Sequence, residues 1–172
     1  MPNRLHHVAL RVFRLLPPRL RRWTVRVLSP SFTVGAICHI ERADGDVLLV
    51  RHAYREQWGI PGGLLQRGEA PAAAAEREVI EEVGLRIELI GEPALVVDPD
   101  SQRIDFVFRA RPVVDADSVR ARPCSPEIDE VGWFAADALP ELQLETSQAV
   151  VALARSARSP QARSLESDQK AD

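Results

Sequence analysis

The chain has 172 residues, enough for one domain with terminal extensions but not for two domains of ordinary size. Hydrophobic residues make up 45% and charged residues 27%, which excludes a wholly disordered chain and a polytopic membrane protein. The net charge of −3 is unevenly laid out, since residues 1–30 carry seven arginines and no acid while residues 31–156 carry 12 basic and 22 acidic side chains.

Leu5, Val8, Ala9, Val12, Phe13 and Leu16 follow helical spacing, so the chain opens on an amphipathic helix that Pro17-Pro18 ends. A second basic and apolar stretch runs through Leu20, Trp23, Val27 and Leu28 to Ser29-Pro30. Residues 1–30 therefore read as a basic, amphipathic helical extension. It suits a membrane surface, an anionic partner or an organelle transit peptide, and equally a packing arm on the body or on a second subunit in a homodimer. No apolar run reaches the roughly 18 residues of a membrane span, and Cys38 and Cys124 lack disulfide or zinc spacing. A soluble, cytoplasmic protein is expected.

Residues 31–157 read as the folded domain. Ser31–Ile40 is a β-branched run, and Asp44-Gly45 marks a hairpin turn before Val47–Val50, which predicts two antiparallel strands. A loop with Trp58, Pro61, Gly62 and Gly63 follows. Pro71–Val83 then predicts a helix that starts on proline, runs through four alanines and stops at Gly84. Strands are expected at 86–90, 94–97, 104–110 and 130–134, with a loop over 111–125 and a helix around 145–157. Residues 158–172 are polar and predict a disordered tail.

The helix carries a ridge of acids. Glu78 and Glu82 are four apart and Glu78 and Glu81 three apart, so the three carboxylates share one face. Each such pair costs about 0.2–0.5 kcal/mol in an isolated helix, and the ridge lies near the negative end of the helix dipole. A divalent cation would offset that cost, and an all-oxygen donor set selects Mg²⁺ or Mn²⁺ over zinc or copper. The alternative is a solvated acidic face. The preceding loop favours the cation, because Gly62 and Gly63 let backbone approach a ligand and Glu69 adds an acid at the helix entrance.

The run from Gly63 to Leu85 resembles the box of the Nudix hydrolase family, G-x5-E-x7-R-E-U-x-E-E-x-G-U with U aliphatic. Gly63, Glu69, Arg77-Glu78-Val79, Glu81-Glu82 and Gly84-Leu85 fill every defined position, too many for coincidence. The resemblance implies an α/β fold: an α/β/α sandwich with a mixed central sheet and a loop–helix–loop catalytic motif. It implies metal-dependent hydrolysis of a nucleoside diphosphate derivative by in-line attack of water on phosphorus. Glu78 and Glu82 would be the main metal ligands, Glu81 a further ligand or water activator, and Gly63 a carbonyl donor. Arg77 and Glu69 would brace the loop against the helix.

The family does not fix the general base within the box, and Glu127 is the candidate from a later loop, with Asp129 and Glu130 read as structural. Arg51, Arg55 and Gln57 stand where they could reach phosphates, and Trp58 suits either base stacking or packing. Phe32, His39, Phe106 and Phe108 are further stacking or packing candidates, and their place in β-type runs favours the core. Pro99, 14 residues after Leu85, is similar to a proline common in members acting on ADP-ribose, so a nucleotide sugar leads over a nucleoside triphosphate. Two alternatives are a 5′-RNA pyrophosphohydrolase, against which the acidic body weighs, and a non-catalytic nucleotide sensor, against which the intact box weighs.

Overall fold

The computed structural model describes residues 11, 13–28, 31–113 and 120–157, which fall in two compact units, Met1–Phe32 and Thr33–Asp172. In the first, Pro17-Pro18 separates a helical turn at 13–15 from α1 (Pro18–Leu28). Proline suits the first helical position because its missing N–H would have no intrahelical partner there. Within the helix, Arg22 Nε and Thr24 Oγ1 donate to the carbonyls of Pro18 and Leu20 one turn back. Most of the expected helix over 5–16 and the expected tail over 158–172 lie outside the described residues.

The second unit runs β1 (Thr33–Ile40), β2 (Asp46–His52), β3 (Trp58–Gly59), β4 (Gly62–Leu64), α2 (Pro71–Val83), β5 (Ile87–Asp98), β6 (Arg103–Pro112), β7 (Ile128–Ala135) and α3 (Leu144–Ala157). Its strands form a mixed sheet in the order β4-β1-β6-β5 and an antiparallel sheet in the order β3-β2-β7. The predicted pairing of β1 with β2 is corrected here. The turn forms, with Gly45 at φ 88° and Arg42 binding Asp44 and Asp46, but the strands part after one bridge between Glu41 and Val47. Both strands carry four successive buried residues, the pattern of interior strands covered on two faces. Each accordingly takes two other neighbours, β4 and β6 for β1, β3 and β7 for β2.

Side-chain alternation then builds the layers. Ala36, Cys38, Leu48 and Val50 face one way, onto Ala74, Ala75, Val79 and Val83 of α2. Ile37, Val47, Leu49 and Val107 face the other, onto Ala149 and Leu153 of α3. The result is the expected α/β/α sandwich. Leu48 is fully buried at the centre of the first layer, and Leu48→Ala is expected to cost about 2–5 kcal/mol in a denaturant melt. A loss under about 1 kcal/mol would mean that this layer is not close-packed.

The strands expected at 86–90 and 94–97 are one strand, β5, interrupted by a bulge. Its register to β6 jumps between Ile90 and Ala94, where Gly91 takes φ 66°. Within the expected loop over 111–125, residues 114–119 lie outside the described residues, and Arg122 and Cys124 donate backbone N–H groups to the Val83 and Glu82 carbonyls at the end of α2. Cys38 is buried and its thiol pushed up to about 12, first by burial, while Cys124 is exposed; both are free. Among the described residues no helix is long and apolar enough to cross a membrane.

Candidate active site

Helix α2 owes its limits to two backbone devices. Gly68 at φ 81° turns the chain into it, and Gly84 at φ 70° ends it with its N–H bonded to the Ile80 carbonyl. Between them Arg77 ties loop to helix. Its Nε and Nη2 donate to the two oxygens of Glu69 at 2.8 and 3.0 Å, and Nη2 also reaches the Leu64 carbonyl at 3.2 Å. Its Nη1 donates to Glu78 at 2.8 Å and Glu81 at 3.1 Å. One planar cation thus spaces three carboxylates, a task suited to the fixed fork of a guanidinium.

Arg77, and after it the N–H of Gln66, hold the Glu69 carboxyl down at about 2. A value depressed below the ordinary 4.5 means that Glu69 adds stability above that pH, lost as pH falls towards 2. Glu69→Gln is therefore expected to flatten the decline in denaturation midpoint between about pH 5 and pH 2.5. A variant declining as steeply as the parent would show that Arg77 does not hold this carboxyl.

The carboxylates of α2 open onto a cleft of about 540 Å³ lined also by Gly62, Gly63, His52, Arg55, Arg103 and Glu127. Glu82 is buried at its floor, where its Oε2 accepts the Gly62 N–H at 3.0 Å and its Oε1 lies 3.9 Å from His52 Nε2. Burial, with Glu78, Glu127 and Glu81 adding to it against that hydrogen bond, pushes Glu82 up to about 8. Gly63 makes room for Glu78: a methyl group added there would stand 2.5 Å from the Glu78 carboxylate. Backbone and carboxylates thus meet at one place.

These donors fit a divalent cation. They are all oxygens, they crowd negative charge that the protein only partly offsets, and a bare glycine lies beside the innermost pair. Among the described residues no three acids or histidines are grouped closely enough to enclose an ion as they stand. Arg77 Nη1 holds one oxygen each of Glu78 and Glu81, and Gly62 one of Glu82, which leaves Glu78 Oε2, Glu81 Oε1 and Glu82 Oε1 without a hydrogen bond among the described residues.

The residues proposed from the sequence outside the box divide. Glu127 lines the cleft beyond the carbonyl that it offers to the Ala53 N–H, whereas Asp129 and Glu130 do not line it. Arg55 lines it and donates through Nη1 to both oxygens of Glu145 at 3.1 Å. Arg51 is instead paired with Glu130 across β2 and β7. Trp58 packs edge-on against Phe134 at 4.8 Å in the α3 layer, and Gln57 offers its backbone carbonyl to Gln143 Nε2 at 3.1 Å. Phe108 is buried and Phe106 half-buried against the α2 layer, in keeping with the core reading, whereas Phe32 is exposed just ahead of β1 and is not core.

Sequence reasoning missed Arg103 and Asp105 of β6, His52 at the end of β2 and Tyr54 after it, Gln143 just ahead of α3, and Glu145 and Thr146 in its first turn, all of which line the cleft. Gln143 Nε2 lies 3.3 Å from His52 Nδ1 and so joins α3 to the end of β2. The one available signal was Arg103-x-Asp105, an opposite-charge pair two apart that shares one face once the strand expected at 104–110 begins one residue earlier, as β6 does.

A family model described as the NUDIX domain matches residues 31–154. A "MutT-like protein" of Streptomyces ambofaciens is 30% identical over 116 residues, covering 67% of this chain and 72% of that one. The "8-oxo-dGDP phosphatase NUDT18" of Mus musculus is 31% identical over 139 residues, 73% of this chain but 37% of that protein, so the chain spans well under half its length. Among solved structures, a NUDIX hydrolase from Nitrosomonas europaea aligns with a TM-score of 0.62 and 26% identity, covering 71% of this chain and 69% of that one.

Proposed function

The chain belongs to the Nudix hydrolase family, and from that premise we propose that it cleaves the diphosphate linkage of a nucleoside diphosphate derivative, with ADP-ribose or another nucleotide sugar ahead of a nucleoside triphosphate. Members of the family are hydrolases that act on phosphorus anhydrides of nucleotide-derived substrates and generally need divalent metal ions. Our reading assigns the activity to residues 31–157, in the cytoplasm, with Mg²⁺ or Mn²⁺ as the ion. One observation carries it: Glu78, Glu81, Glu82 and Gly63 line a single cleft, with Arg77 spacing the acids.

Glu78 and Glu82, with Glu81 and the Gly63 carbonyl in support, would hold the cation. When bound, the ion supplies charge to offset the phosphate oxygens and lowers the pKa of water. The protein's own residues do the rest. Arg77 and Glu69 fix the loop on the helix so that the carboxylates keep their spacing. Gly62 donates to Glu82 Oε2 and thereby turns the other oxygen towards the cleft. Glu81 and Glu127 stand in the cleft as the acceptors for a proton from the attacking water, and Arg55 offers a cation to phosphate.

The test is a panel of ADP-ribose, nucleotide sugars and nucleoside di- and triphosphates assayed with Mg²⁺ and with Mn²⁺, products identified by mass. Metal-dependent release of a nucleoside monophosphate, with the other half as its phosphate, is expected. No turnover of any member with either ion would overturn the reading.

A further inference from the structure

We infer that Arg103, presented by Asp105 across Gly35, forms with Arg55 a second phosphate-binding site in the cleft, on β6 and the loop after β2 rather than on α2, which holds a substrate phosphate away from the carboxylate ridge. The inference rests on the pyrophosphohydrolase reading of the cleft.

Asp105 is almost wholly buried in β6, and both its oxygens accept from Arg103 Nε, at 2.9 and 2.8 Å. That single atom carries both bonds. Among the described residues Nη1 and Nη2 have no hydrogen-bond partner, and Arg103 lines the cleft. The guanidinium therefore presents its outer pair of donors, the edge that grips a phosphate with two parallel hydrogen bonds.

The strand beside it is built for this pair. Gly35 of β1 lies directly opposite Asp105, and a methyl group there would stand 2.1 Å from Asp105 Oδ1 and 3.0 Å from Arg103 Nη2. Its backbone φ is unexceptional, so the demand for glycine at this position is one of space and not of conformation.

Arg55 completes the wall. Its bonds to Glu145 use Nη1 alone, leaving Nε and Nη2 without a partner among the described residues. Burial works against the Glu145 charge, yet its own backbone N–H, Arg55 and Arg103 together hold it below the ordinary carboxylate value, as a carboxylate flanked by two guanidiniums should be. An Arg–Asp pair that served only to stabilise a strand would need neither an open cleft in front of it nor a second arginine beside it.

The phosphates are chemically alike, so geometry must sort them. A nucleoside diphosphate has one phosphate to place among the α2 acids with their cation and another to place on this wall.

The probe is α,β-methylene-ADP, whose P–C–P bridge resists hydrolysis, titrated calorimetrically with Mg²⁺ into the full chain. Arg103→Ala is expected to weaken binding at least about tenfold, and to raise KM for the best panel substrate by a similar factor with kcat within about threefold. Arg103→Lys keeps the charge without the fork and should weaken binding several-fold; it carries the test if the alanine variant fails to fold. Gly35→Ala, which displaces the pair without removing it, should weaken binding too, whereas Arg51→Ala, outside the cleft, should not. Arg103 variants that bind the probe as the parent does, or a parent chain that does not bind it at millimolar concentration, overturn the inference. The hydrolysis panel on the parent chain tests the underlying reading separately, so the two failures are distinguishable.

Discussion

Replacing Glu82 or Glu78 by glutamine is expected to lower metal-dependent hydrolysis by at least about 10³-fold, equivalent to roughly 4 kcal/mol of transition-state stabilisation. The amide keeps the size and acceptor of the carboxylate, so in Glu82→Gln the bond from the Gly62 N–H survives and the charge alone is lost. Stability should move the other way. Glu82 is pushed up to about 8 from an ordinary 4.5, chiefly by burial, so the cation-free fold is favoured by the protonated form and loses that contribution as pH rises through 8. A neutral glutamine has no such liability, and Glu82→Gln should melt at or above the parent temperature at alkaline pH in chelator. An inactive variant that folds at least as well is the signature of a residue retained for its charge. Parental turnover in both variants would remove these two acids from the active site.

Gly63→Ala is expected to cost about 10²-fold in activity with less than about 1 kcal/mol of stability, since a misplacement of about 1 Å at reacting groups has that scale of effect. The added methyl meets the Glu78 carboxylate at 2.5 Å, and that carboxylate is the far end of a flexible side chain that can swing away. The helix would hold while the oxygen proposed to bind the cation moves. Gly62 provides the contrast one residue earlier: at φ 148° a methyl there meets the Ala36 carbonyl at 2.4 Å and Ile37 Cα at 2.6 Å, backbone atoms that cannot yield cheaply. Gly62→Ala should therefore lower the melting temperature, and Gly63→Ala should not. Full activity in Gly63→Ala would show that Glu78 need not lie where it does.

The helix that bears the acids was legible to the residue because its limits are local, a proline able to start it at position 71 and a glycine able to stop it at 84. The layers were legible only through the resemblance of the run from Gly63 to Leu85 to the Nudix box, although the four successive buried residues at 35–38 and at 47–50 are the local mark of strands covered on both faces. Pairing was not. The turn at Asp44-Gly45 signals a hairpin locally, but which strand fills each hydrogen-bonding edge is decided by β6 and β7, whose distance along the chain leaves no mark near the turn. The short strands β3 and β4 were hidden for a related reason, because glycines at 59, 62 and 63 speak for a loop unless a neighbouring strand is already in place.

The site divides in the same way. Arg77, Glu78, Glu81 and Glu82 sit on one helix and Glu69 just ahead of it, all within one short stretch of sequence. Arg51 and Arg103 could not be ranked from spacing alone, as the outcome turned on Glu130 capturing the first and Asp105 turning the second into the cleft. Charge alone marks an arginine as a candidate; its carboxylate partner decides where it points.

The two-sheet arrangement also orders events at the ribosome. Ile37 in β1 pairs beside Val107 in β6, and Leu48 in β2 beside Trp133 in β7, so each central strand waits for one of its two partners until much later. A nascent chain that has emerged only through α2 already holds every acid of the ridge. It lacks β6 and β7, and so has neither sheet complete to lay that ridge against. Translation must pass residue 135 before the acids can be brought to a common cleft, and until then the apolar runs of β1 and β2 are surfaces that a growing chain has to shelter.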